Sequence, residues 1–181
     1  PDASKMFLSE ENSNESGTVI IPALEGTRPL LVEIQSLVAP TPYVPPRRTS
    51  DSIDIKKIQL LLAVLEKRVH LNMGTCDVYV KVAGGIKIDD PAVDLALCCA
   101  MASSFRNQSI KPQTIIFGEV GLSGEVRSVN QPDIRVREAI RMGFTNIILP
   151  AKNLERLEHF ASNVQIHGVR YLSEALKIAL N

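Results

Sequence analysis

DVYVKVAGGIKIDDPAVDLALCCAMASSF, residues 77–105, joins an alternating run to a long apolar one through a glycine pair and an acidic turn. Its first part alternates, with Val78, Val80 and Val82 on one side of an extended chain, which predicts a half-buried strand. Gly84 and Gly85 interrupt that pattern. Asp89, Asp90 and Pro91 then mark a helix start, because acidic groups complement the free N–H groups of a first turn and proline lacks one of them. Beyond them the chain is apolar and rich in small residues to Phe105, so the helix is buried and can pack close to a sheet.

Upstream, TVIIPAL and LLVEIQSLV are β-rich runs joined by the turn composition Glu25-Gly26-Thr27-Arg28-Pro29, which predicts an antiparallel pair. APTPYVPPRRTSDS carries Pro40, Pro42, Pro45 and Pro46 and reads as a stiff, extended, exposed loop. Asp54 can cap the next segment, where Ile55, Ile58, Leu61, Leu62, Leu65 and Val69 recur at helical spacing. Downstream, a strand from Thr114 to Phe117 leads into a hairpin turning near Ser123-Gly124. A helix over Pro132–Met142, the strand NIILP, a helix over Leu154–Phe160, the strand VQIHGV and a helix from Ser173 to Leu180, opened by Ser173, complete the reading. Strands first and helix-strand alternation later imply an α/β (α+β) mixed sheet with packed helices.

The 181 residues, 45% hydrophobic and 22% charged, suit one folded domain over 18–181, preceded by a polar, net acidic linker over 1–17 whose apolar cluster is Met6, Phe7 and Leu8. A first residue that is proline suggests a fragment of something longer. The formal net charge is zero, so any contact with nucleic acid needs a local basic patch. No run is apolar enough to span a bilayer, and the start lacks the order of a signal peptide, so a cytoplasmic protein without membrane contact is expected. Cys76, Cys98 and Cys99 fit buried free thiols better than a disulfide or zinc set, and the scattered His70, His159 and His167 lack ligand spacing, so no metal is expected. AGGIKI and GEVGLSGEV match no phosphate-loop pattern, so their glycines are read as serving turns.

The runs EGTRPLLVEIQSLV, PPRRTS, LLLAVLEKRV, DVYVKVAGGIKIDDPAVDLA and FGEVGLSGEVRSV resemble the C-terminal Lon-protease-like domain of the bacterial RadA (Sms) family of DNA-repair and recombination ATPases. The resemblance implies the Lon protease-domain fold, a relative of the ribosomal-protein and GHMP-kinase type of βαβ fold. In Lon proteases a serine follows Gly-Pro at the start of a helix, and a lysine about forty residues later activates it. By the flanking motifs, the serine's position holds Ala92, and the lysine's falls at or near Asp133. A methyl group cannot attack a carbonyl, and a carboxylate cannot act as the activating amine, so no catalytic residue and no proteolysis are expected. A rebuilt pair of Ser123 and Lys87 is conceivable, though nothing in the sequence places the two within reach.

The basic residues are the other candidates. Arg47 and Arg48 sit side by side on the proline-rich loop, Lys56 and Lys57 open the next helix, and Lys87 lies in GGIKIDD. Guanidinium groups on a stiff loop suit phosphate, so these five are the candidate DNA-binding residues. A solvated basic loop, or a salt-bridge patch between subunits, is the competing reading. Arg135, Arg137 and Arg141 read as a solvated helix face. By resemblance, the parent is a homo-hexameric DNA-dependent ATPase that drives branch migration on single-stranded or branched DNA with the recombinase RecA. ATP, Mg and Zn would then belong to its N-terminal parts, with no cofactor in this chain. A pure oligomerisation scaffold without DNA contact is the alternative.

Overall fold

In the computed structural model, residues 15–157 and 163–180 are described. The chain opens with β1 (Thr18–Glu25) and β2 (Arg28–Pro40), paired antiparallel from Thr18–Gln35 to Glu25–Arg28 across the expected turn. After β3 (Arg48–Asp51) come α1 (Ile55–Val69) and β4 (Cys76–Val82), and then α2 (Val93–Arg106). β5 (Thr114–Ile116) leads into the small hairpin of β6 (Glu119–Val120) and β7 (Val126–Arg127). The C-terminal part is α3 (Pro132–Arg141), β8 (Asn146–Pro150), α4 (Ala151–Leu154), β9 (Gln165–Val169) and α5 (Leu172–Ala179).

Seven strands form one mixed sheet in the order β3-β4-β2-β1-β5-β8-β9. β2 runs antiparallel to both of its neighbours, β1 and β4, whereas β3 lies parallel on β4 and β1, β5, β8 and β9 run parallel to one another. A two-residue turn can join antiparallel strands, but parallel neighbours need a crossover, and α3 lies between β5 and β8 and α4 between β8 and β9. The expected α/β mixed sheet with packed helices is thus the observed class.

α2 is buried from Val93 to Ser104 and lies against β1 and β2, with α1 and α5 also against it. Its small residues permit this approach, and its hydroxyls tie it down: Ser103 Oγ accepts from Gly17 N–H at 2.8 Å and Ser104 Oγ from Val38 N–H at 2.9 Å. Gly17 has a positive φ, and a Cβ there would meet the Ser36 carbonyl at 2.2 Å, so only glycine fits. Cys76, Cys98 and Cys99 are buried free thiols, and burial pushes the Cys99 thiol up to about 12.

Three expectations about elements need correction. The proline loop ends in a strand: Arg48–Asp51 pairs with Val78–Lys81 at the edge of the sheet, because extended backbone beside an open edge gains ladder hydrogen bonds. The helix expected from Leu154 starts earlier, at Ala151, and stops at Leu154, while residues 158–162 lie outside the described set. α5 begins one residue before Ser173, with Tyr171 as N-cap, and Glu174 Oε1 accepts from the Tyr171 N–H at 3.2 Å. The expected linker lies outside the described residues up to position 14.

Candidate functional site

The start of α2 is held by two buried aspartates. Asp90 Oδ1 accepts from the N–H of Ala92 at 3.0 Å, and Oδ2 from Leu24 N–H at 3.1 Å. Two backbone bonds stitch the same turn to the end of β5: Leu95 N–H donates to the Gly118 carbonyl at 2.9 Å and Gly118 N–H to that of Ala92 at 3.0 Å. Ala92 is completely buried. A substrate has no access to its side chain in this arrangement.

The second candidate position, Asp133, lies in the first turn of α3. Two residues on, Arg135 is fully buried and reaches the first site, its Nη1 donating to Asp90 Oδ2 at 2.7 Å and its Nη2 to Asp90 Oδ1 at 3.1 Å. The same guanidinium donates to the Pro22 carbonyl at 2.8 Å, to Asn130 Oδ1 at 2.9 Å and, through Nε, to the Asn130 carbonyl at 3.0 Å. Every N–H direction of the fork therefore meets an oxygen, the condition under which a buried charge pair is tolerated. Burial alone would raise the carboxyl of Asp90. Its hydrogen bond and charge contact with Arg135, with the N–H groups of Ala92 and Leu24, outweigh that and hold it below its ordinary value.

This ion pair corrects the expectation that Arg135 belongs to a solvated face, which holds only for the exposed Arg137 and Arg141. A signal was present: Arg135 stands four residues before Ala139, on the helix's apolar stripe with Val136. A second buried carboxylate, Asp94, accepts from Lys57 Nζ at 2.6 Å and from Val120 N–H at 3.1 Å. Burial dominates and raises its pKa, although Lys57 and the N–H group oppose the rise.

Ser123 and Lys87 are not brought together. The Ser123-Gly124 turn packs on Arg68 near the C-terminal end of α1, whereas Lys87 adjoins Ile88, whose N–H donates to Ser52 just before the helix begins. A helix of 15 residues separates those ends.

The five candidate basic residues separate into two groups. Arg48 is committed to the fold, with Nη2 donating to the Met73 carbonyl at 3.2 Å and Nη1 to the carbonyls of Cys76 and Arg47. Lys57 is engaged with Asp94. Arg47, Lys56 and Lys87 are exposed. Arg47 stacks over the ring of Tyr43 at 4.3 Å, and its backbone N–H donates to Asp77 Oδ1 at 2.6 Å, so the loop that carries it is pinned. A held cation loses less freedom when an anion binds.

Residues 57–181 match the model of the Lon protease (S16) C-terminal proteolytic domain. The chain belongs to that family. Within this Lon-type domain the Asp90–Arg135 pair joins the start of α2 to α3. Three similar relatives carry the name DNA repair protein RadA. Those of Halalkalibacterium halodurans and Bacillus subtilis are 44% and 46% identical, and that of Listeria monocytogenes is 45% identical, each over 98% of this chain. The chain spans 38% of the length of each. Among the described residues, no helix is long and apolar enough to cross a membrane.

Proposed function

We propose that the chain is a non-proteolytic Lon-type domain that contacts DNA and supports ring assembly in a DNA-repair and recombination ATPase acting on branched intermediates. The absence of proteolysis is supported by one observation above all: the dyad neighbourhood is filled by the buried Asp90–Arg135 pair, with Ala92 inaccessible beneath it. Serine chemistry needs a hydroxyl beside a base in a cleft that a peptide can enter, and the packing leaves no such cleft at Ala92.

DNA contact is supported by Lys56 and Lys87, exposed near the start of α1, and by Arg47, exposed on the loop beside the turn that leads from α1 into β4 and held by Tyr43. Arg48 and Lys57 serve this surface by positioning it, Arg48 by bracing the loop on the turn before β4 and Lys57 by fixing α1 to α2. The test is anisotropy of labelled single-stranded and forked DNA with the chain and its Arg47→Ala/Lys56→Ala variant at low salt. Weaker binding by a folded variant is the expected result. Equal binding would remove this surface from the contact, and no binding by either protein would leave an oligomerisation scaffold.

A further inference from the structure

Away from α1, a cleft of about 650 Å³ is lined by Glu119, Glu125, Arg127, Lys152, Arg170 and Tyr171, among others. It opens where β8 and β9 end, at Pro150 and Val169, and ligands of open α/β sheets collect at the carboxyl ends of the parallel strands. Its walls are tied together by backbone bonds: Val126 N–H donates to the Arg170 carbonyl at 2.8 Å and Leu172 N–H to the Gly124 carbonyl at 2.8 Å. The cleft is therefore built on paired backbone.

Three cations and two carboxylates share it. Glu125 is engaged by its own hairpin, accepting from Arg127 Nε at 3.0 Å and from Ser123 N–H at 3.0 Å, and Glu119 is half-buried. Lys152 and Arg170 are exposed and, among the described residues, have no ion-pair partner. Beside them Tyr171 is 54% exposed, which leaves its ring accessible to a ligand. Glu174 receives the backbone N–H of Tyr171, so the ring is not needed for that bond.

The geometry points to this cleft as a binding site for a single strand of nucleic acid, with Lys152 and Arg170 on successive phosphates and a base stacked on Tyr171. The assignment rests on the DNA-contact reading above and extends it to a second surface. An unpaired strand offers both chemistries at once, a phosphate for each cation and a flat face for the ring. In duplex the base faces are already stacked, and an acidic peptide brings charge without rings.

The test uses fluorescein-labelled oligo(dT) with the whole chain, in a salt series, with polyglutamate of matched charge as competitor. Lys152→Ala/Arg170→Ala should bind at least about tenfold more weakly at low salt, with a salt slope shallower by about 1.4, the share of two single-strand phosphates. Tyr171→Leu should lose about fivefold or more, and Tyr171→Phe should retain binding because stacking needs only the ring. Arg170→Gln, which keeps a polar stem, serves if the double variant does not fold.

Unchanged oligo(dT) binding by the cleft variants, with loss in Arg47→Ala/Lys56→Ala, would overturn this inference and leave the function standing. Equal displacement by polyglutamate would overturn it in favour of an acidic peptide. Loss in the cleft variants alone would uphold it and move the DNA contact away from the loop. No binding by the unaltered chain would overturn both.

Discussion

Replacing Arg135 by methionine isolates what the buried ion pair contributes. The change removes five donated hydrogen bonds, two to Asp90, two to the side chain and carbonyl of Asn130, and one to the Pro22 carbonyl. Asp90 keeps only the N–H groups of Ala92 and Leu24. Breaking a buried pair from one side costs about 3 to 5 kcal/mol, because an uncompensated charge stays in a poorly solvated place. With a urea slope of about 2 kcal/mol per molar, the unfolding midpoint should fall by roughly 1.5 to 2.5 M. The pH dependence adds a sign. In the unaltered chain the folded pKa of Asp90 lies below its ordinary 3.8, so the pair's stabilisation is present above that range and is lost as pH falls through the folded value. In Arg135→Met burial acts with little opposition, so the Asp90 contribution should reverse and stability should gain on acidification. Adding Asp90→Leu should recover part of the loss, since removing both charges leaves fewer orphaned groups than removing one. A midpoint shift below about 0.5 M, with the fold intact, would refute the reasoning that this pair holds α2 and α3 to β1.

Gly17→Ala should destabilise the chain by more than about 2 kcal/mol in equilibrium unfolding, because a positive φ and a carbonyl 2.2 Å from the new Cβ act together. Lys57→Met should cost more stability at pH 7 than at pH 4. Asp94 already has a raised pKa and loses the cation that favours its charged form, so protonating it relieves the variant; urea curves at the two pH values would show this. Ala92→Ser/Asp133→Lys should remain unreactive toward a fluorophosphonate probe, because the restored hydroxyl would lie buried behind the Asp90–Arg135 pair. Labelling of that variant would show that the site still admits a substrate.

Much of this was legible in the chain because the signals were local. The alternation of Val78, Val80 and Val82, the turn at Gly26 and the Asp54 cap each act over a few residues, and the structure keeps all three. Strand β3 was hidden, since Arg48–Asp51 has no alternation of its own and becomes a strand only because β4 leaves an edge beside it. The residues at Ala92 and Asp133 were legible, but the buried ion pair beside them was not. Arg135 and Asp90 are 45 residues apart, and a charged residue on a short helix reads as solvated unless its partner is known. The same blindness covered the basic residues: Arg48 and Lys57 looked equivalent to Arg47 and Lys56 until their carbonyl and carboxylate partners came into view. Spacing locates charges along the chain, whereas the fold decides which of them remain available to a ligand.

The most direct test of the account is the affinity of the unaltered chain for labelled single-stranded DNA as a function of salt. Three exposed cations around α1 predict that log K falls linearly with log salt with a slope of about −2, or steeper if the cleft at Arg170 also engages. A slope near zero, or no binding at low salt by folded protein, would contradict the DNA-contact account and favour a purely structural role for this Lon-type fold.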